Sequence, residues 1–242
     1  KLGWYTSTVE EPSRDPGKVH SEQELRISNS VENVVNEVKR LKNQHSLSEF
    51  FFIDQAFNQP PDFAKALCTA LITENLNIKW NTNITTHGSD GELISLMSRA
   101  GCQMVLIGGP AISNGNRQEQ SLSVESSLEQ MITLCDLCQN HGLPYSITQV
   151  FGELGETDET ISIKLTGLSQ VAGMDRMAHV NIRIGNRLLP GSPLIESAKQ
   201  DGLIREEKDL LMPVFYVDSS VRSHIVEKLQ SAAEPHSNWH IM

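Results

Sequence analysis

The stretch Phe50-Phe51-Phe52-Ile53-Asp54-Gln55-Ala56-Phe57-Asn58-Gln59-Pro60-Pro61 decides how the chain is read. It opens as a short apolar run, which predicts a strand buried on both faces. It closes on a polar tip, Asp54, Gln55 and Asn58. A Pro-Pro turn follows, and a helical pattern begins at Asp62. In parallel α/β folds the residues just past the carboxyl end of a strand face the ligand. Asp54 stands at that point. Asp54 and Asn58 equally suit a plainer role, capping the turn.

On the amino-terminal side, residues 1–29 are polar, with Pro12, Pro16 and Gly17 as breakers, and read mostly as loop. Ser30 suits an N-cap. Val31, Val34, Val35, Val38 and Leu41 follow at helical spacing, with Lys39, Arg40 and Lys42 near the end that favours cations. On the carboxyl side the alternation repeats. Helical patterns start at Phe63, at Ser89 or Asp90, near residue 123 and at Thr157. Strands are predicted at 77–83, 104–107, 145–150 and 179–184. Gly142 is placed to end the long helix. Further helices are predicted over 194–200 and 221–233, and the tail beyond, with His236 and His240, reads as disordered. Strands alternating with helices imply βαβ crossovers and a parallel sheet, either an open or partial barrel or a doubly wound sheet.

The 242 residues, 38% hydrophobic, suit one large α/β domain or two small ones. A net charge of −10 argues against nucleic acid as the main partner. No apolar run approaches the roughly 18 residues of a membrane span, and no signal peptide is expected. The chain opens without an initiator Met, so an upstream portion is expected. Cys68, Cys102, Cys135 and Cys138 lie within helix or strand patterns, which fits a reducing, cytoplasmic setting. Cys135 and Cys138 form a lone C-x-x-C on an amphipathic helix and read as core. Glu153 and Glu156 allow paired-carboxylate chemistry, but capping and solvent exposure explain them more simply. The turn from Phe151 to Thr157 needs glycine for its backbone, or offers N–H groups to an anion or an adenine edge.

Four stretches, in order, resemble the radical S-adenosylmethionine (SAM) superfamily, and within it the cobalamin-linked branch. Arg26-Ile-Ser-Asn-Ser-Val-Glu-Asn-Val-Val-Asn-Glu-Val is similar to R-x-R-S-P-E-N-V-V-x-E-I. Phe51-Phe-Ile-Asp-Gln-Ala-Phe-Asn is similar to F-x-D-D-x-F-N. Met97-Ser-Arg-Ala-Gly-Cys-Gln-Met-Val-Leu-Ile-Gly is similar to M-x-x-A-G-C-x-x-V-x-x-G. Phe151-Gly-Glu-Leu-Gly-Glu-Thr is similar to F-G-x-P-G-E-T, and Arg183 to Leu194 follows R-I-x-P-G-T-x-L. The resemblance runs from about residue 26 to 216.

The resemblance implies an α/β fold: a partial (β/α)6 barrel of parallel strands with outer helices, here lacking its first strand, and with a C-terminal helical extension. It divides the chain into a degenerate cluster-loop region (1–25), a barrel (26–190) and an extension (191–242). It implies SAM contacts at Asp54 and Gln55 for the amino group, at Asn83 and Ser113 for ribose or carboxylate, and at Val150, Gly152 and Arg183 around the adenine. In that family a C-x-x-x-C-x-x-C loop binds the 4Fe–4S cluster that reduces SAM, since thiolates hold iron. At the three cysteine positions this sequence has Trp4, Thr8 and Glu11. No metal ligand is therefore assigned. Cobalamin is implied only with an upstream domain.

Three functions stay open: a radical SAM enzyme, truncated or degenerate; a cluster-free binder of SAM or a nucleoside; and a non-catalytic interaction module. The expected partner is a small molecule, with neither nucleic acid nor membrane. No catalytic residue is assigned.

Overall fold

The computed structural model describes the backbone of residues 2–5, and residues 30–54, 56–108, 123–172 and 178–242. Two compact units emerge, residues 1–108 with 136–145, and residues 109–135 with 146–242.

The first unit alternates β1 (Leu2–Tyr5), α1 (Val31–His45), β2 (Glu49–Phe52), α2 (Pro61–Thr73), β3 (Lys79–Ile84), α3 (Gly91–Arg99) and β4 (Cys102–Ile107). The pairs β1/β2, β2/β3 and β3/β4 are all parallel. The helices start where their caps dictate. The Ser30 hydroxyl accepts from Asn33 N–H at 3.2 Å, and Asp90, rather than Ser89, accepts from Leu93 N–H at 2.8 Å. Between α3 and β4, Gly101 has φ +94, and a Cβ there would lie 2.1 Å from Ile78 O, so only glycine fits.

Two expectations are corrected here. The first strand was expected before Lys1, but Leu2–Tyr5 is a strand beside β2, with Trp4 opposite Phe51. Trp4 therefore belongs to a strand rather than to a cluster loop. Thr8 and Glu11 lie outside the described residues. Secondly, β2 is not buried on both faces. Phe50 and Phe52 are buried, while Phe51 is half-buried and the following Ile53 is 47% exposed. Successive side chains of a strand point to opposite faces. The Phe52 ring meets Trp80 edge-on at 5.2 Å and Phe57 at 5.6 Å, and Trp80 Nε1 donates to Ala100 O at 2.9 Å. The same alternation buries Trp80, Thr82 and Ile84 on one face of β3 and puts Asn81 and Asn83 on the other.

The second unit holds most of α4 (Val124–Asn140), then β5 (Tyr145–Phe151), α5 (Asp158–Ala172), β6 (Ala178–Ile184), β7 (Asn186–Arg187), α6 (Ile195–Gln200), a 3-10 turn at Glu207–Leu211, β8 (Phe215–Tyr216), α7 (Ile225–Ala233) and β9 (Trp239–Ile241). Gly142, with φ +61, follows α4 as the spacing predicts. Cys135 and Cys138 are buried core residues of α4. Leu188, Ile195, Ala198, Ile204 and Tyr216 form a satellite core. The tail is ordered: β9 runs parallel to β6, Val180 opposite Trp239, and Met242 N–H donates to Ile182 O at 2.9 Å. Backbone pairing and a buried Trp239 hold a segment whose polar composition reads as loose.

Strand order follows chain order from β1 to β4 in the first unit; in the second, β9 lies beside β6, while β7 and β8 form a separate antiparallel ribbon. This is the α/β class, with the strand and helix order of a partial (β/α)6 barrel. No helix among the described residues is long and apolar enough to cross a membrane.

Candidate functional site

In the first unit the loop after β2 is stitched to the loop after β3. Phe57 N–H donates to Asn83 O at 2.9 Å, and Asn83 Nδ2 donates to Asp54 O at 3.1 Å. Asn58 is fully buried. Its Nδ2 lies within hydrogen-bond distance of Thr85 O, His87 O and Ser89 Oγ (2.9, 2.7 and 3.0 Å), and its Oδ1 accepts from Thr85 N–H at 3.0 Å. Asn58 thus takes the plainer of its two roles and holds the turn. Asp54 is also buried, with its backbone carbonyl tied to Asn83. Structure brings Asp54 and Asn83 together. Gln55 and Ser113 lie outside the described residues.

One residue of this face carries a buried polar atom that the described residues leave unmatched. Asn81 shares a face of β3 with Asn83, and its Oδ1 is buried without a hydrogen-bond partner among the described residues. Its signal in the sequence was the polar pair Asn81 and Asn83 at a strand end.

In the second unit, β5 ends at Phe151 and the chain turns through Gly152 and Gly155 into α5. Both glycines have positive φ (+82 and +76). A Cβ on Gly152 would lie 2.8 Å from Val217 Cγ1, so the close approach, as well as φ, needs glycine. The Thr157 hydroxyl accepts from Thr160 N–H at 3.3 Å and caps α5. Val150 and Gly152 are buried here. Arg183 on β6 is exposed and makes no ion pair among the described residues.

The turn is built on a buried charge network. Lys164 and Glu156 are both 0% exposed. Lys164 Nζ lies 2.6 Å from Glu156 Oε1, 2.8 Å from Glu153 Oε2 and 3.3 Å from Val150 O, and 5.7 Å from the Phe151 ring centroid. The other oxygen of Glu156 accepts from Gly152 N–H. Solvent exposure therefore does not explain Glu156. Two carboxylates share one lysine because a buried charge is tolerable only when paired and hydrogen-bonded. The pairing spends both carboxylates on Lys164, so acid–base work does not follow. The sequence carried a signal here. Lys164 is three residues after Ile161 and four before Leu168, inside the buried stripe of α5.

No protein-family model matches the chain, and no curated protein matches it. Solved structures do. The radical SAM methyltransferase TsrM from Kitasatospora setae, with cobalamin and a 4Fe–4S cluster bound, aligns at a TM-score of 0.75 and 18% identity over 100% of this chain and 54% of that one. The same enzyme with tryptophan substrate and a SAM analogue aligns at 0.74 and 18% identity, over 98% of this chain and 53% of that one. The chain thus spans about half the length of these neighbours. At this identity the likeness shows the fold alone: the chain shares the parallel α/β fold of these structures.

Proposed function

We propose that this chain is a radical SAM-like protein that binds SAM, or another adenosine-bearing compound, at the carboxyl ends of its strands without a 4Fe–4S cluster of the family type. The observation that supports binding is the buried Asn81 Oδ1, beside Asn83 and without a hydrogen-bond partner among the described residues. A buried acceptor left unmade costs about 1–3 kcal/mol, which an amine or hydroxyl donor recovers. Asp54, Gln55, Asn83 and Ser113 are the polar contacts assigned by resemblance to the amino acid and ribose parts. Val150, Gly152 and Arg183 are those assigned to the adenine.

The residues present do not fit the cluster. Iron in such a cluster takes thiolates. Residues 6–30, between β1 and α1, contain no cysteine. The four cysteines are buried elsewhere. Burial pushes the Cys68 and Cys138 thiols up to about 12 and the Cys102 thiol well above its ordinary value. Buried thiols held protonated are inert as ligands. No reductive step is derived through them. Cobalamin would enter only with an upstream domain. The partner is a small molecule rather than nucleic acid or membrane, and cysteines buried within helices and strands favour the cytoplasm.

A non-catalytic interaction module is the second reading. It draws on Leu211 and Met212, 89% and 72% exposed at the end of the 3-10 turn.

The test combines iron and sulfide content after anaerobic reconstitution with SAM binding by calorimetry. We expect iron at background and SAM bound, with Asn81→Leu weakening binding about tenfold, the equivalent of one lost hydrogen bond to a charged group. Stoichiometric cluster iron would overturn the cluster-free reading. No SAM or adenosine binding would leave the interaction reading in its place.

A further inference from the structure

We propose that Asp218 is a positioning residue that sets the shape of the Gly152–Gly155 turn; its consequence for ligand binding rests on the function proposed above. Asp218 is 63 residues beyond Gly155, yet it grips the turn at two points. Its N–H donates to Gly152 O at 3.0 Å, and its Oδ2 accepts from Gly155 N–H at 2.8 Å. Ser220 adds a third point. Its Oγ lies 2.8 Å from Glu156 O and 2.7 Å from Asp218 Oδ1, and its N–H donates to Oδ1 at 3.0 Å. The segment is itself anchored by Arg222, whose Nε and Nη2 donate to Val217 O at 2.9 and 2.6 Å and whose Nη2 meets Asp201 Oδ2 at 2.7 Å.

The turn needs such a grip. Glycine at positive φ loses more backbone freedom on ordering than any other residue. The Gly155 peptide has no side chain to fix it, so the partner of its N–H sets its direction. On the inner side Glu156, itself paired with Lys164, accepts from the Gly152 N–H, and on the outer side Asp218 holds the Gly152 carbonyl and the Gly155 N–H. Burial pushes the Asp218 carboxyl up, but the hydrogen bonds from Ser220 and Gly155 and the nearby Arg222 charge outweigh it, so it sits below its ordinary value and is an anion at neutral pH. Its bond to Gly155 is therefore charge-assisted. By fixing the path of the turn, Asp218 would also fix where Gly152, assigned by resemblance to the adenine, meets the ligand.

The test uses the full chain with Asp218→Ala, Asp218→Asn and Ser220→Ala. Amide exchange is read by NMR at Gly155, and SAM affinity by calorimetry. In Asp218→Ala the Gly155 amide exchanges about tenfold faster and SAM binds about tenfold more weakly, as expected for one lost hydrogen bond to a charged group. Asp218→Asn keeps an acceptor oxygen and stays within about threefold of wild type on both readings. If Asp218→Ala does not fold, Ser220→Ala decides, with Gly155 exchange about threefold faster. Unchanged exchange in the folded variant, or Asn failing to rescue, overturns the positioning role. Failure of the wild-type chain to bind SAM overturns the proposed function instead, and the exchange result still decides the role of Asp218.

Discussion

Lys164 is the residue whose environment composition alone describes least well. A methionine there keeps much of the side-chain length and removes the charge. It leaves Glu156, fully buried, without its cation. Breaking a buried pair from one side costs about 3–5 kcal/mol, far more than the pair's net contribution. We therefore expect Lys164→Met to lower stability by about that amount in urea titration. Lys164→Met combined with Glu156→Gln should recover part of it, because the second change removes the stranded charge. Additive losses would show that the two residues do not act as a unit. Position legibility differs sharply among these residues. Lys164 could be placed on the buried stripe of α5 from spacing. Its two carboxylates lie 11 and 8 residues upstream, across a turn whose shape spacing does not give.

At the scale of the element, the caps were mostly legible and their partners were not. Ser30 and Thr157 cap as their residue types suggest. Asp90 rather than its neighbour caps α3, because the Ser89 hydroxyl is within reach of Asn58 and Thr85. Asp90 also meets Lys65 at 2.7 Å. The Lys65 ammonium, then the Leu93 N–H, holds the Asp90 carboxyl below its ordinary value of 3.8. A carboxyl lowered on folding stabilises above its unfolded value, and that stabilisation fades as pH falls through the folded one. Asp90→Ala should cost about 1 kcal/mol at pH 7, the usual worth of a cap. The difference from wild type should shrink below about pH 4, where the carboxylate begins to protonate. A difference constant from pH 7 to 2 would assign the loss to something other than the charged cap. The same logic of local preference overruled by neighbours explains β2. Its apolar run reads as buried on both faces, but alternation across the strand puts only Phe50 and Phe52 under Trp80 and its surroundings.

At the scale of the whole molecule, the C-terminal segment is where reading and structure part most. Trp239 on β9 is buried, stacks on His236 at 4.3 Å, and has an indole N–H without a partner among the described residues. Trp239→Ala should cost about 3–5 kcal/mol through lost burial. Trp239→Phe should cost clearly less, since no hydrogen bond is lost with the indole. Equal losses in thermal unfolding would reveal a bond through Nε1. The alternation of apolar and polar runs determined by itself the α/β class, the five central strands, the order of the helices and the polarity of the strand ends. It did so because period and capping are local properties of the chain. The absence of cysteine between β1 and α1 was likewise a matter of sequence. Only tertiary structure decided that Leu2–Tyr5 and Trp239–Ile241 are strands, because backbone pairing with β2 and β6 holds segments too short to carry a pattern of their own. It alone decided that Asn58 is spent on its turn, that Glu156 is buried against Lys164, and that Asp218 grips Gly152 and Gly155. Each of these depends on groups distant in the chain meeting at hydrogen-bond distance, which no local spacing encodes.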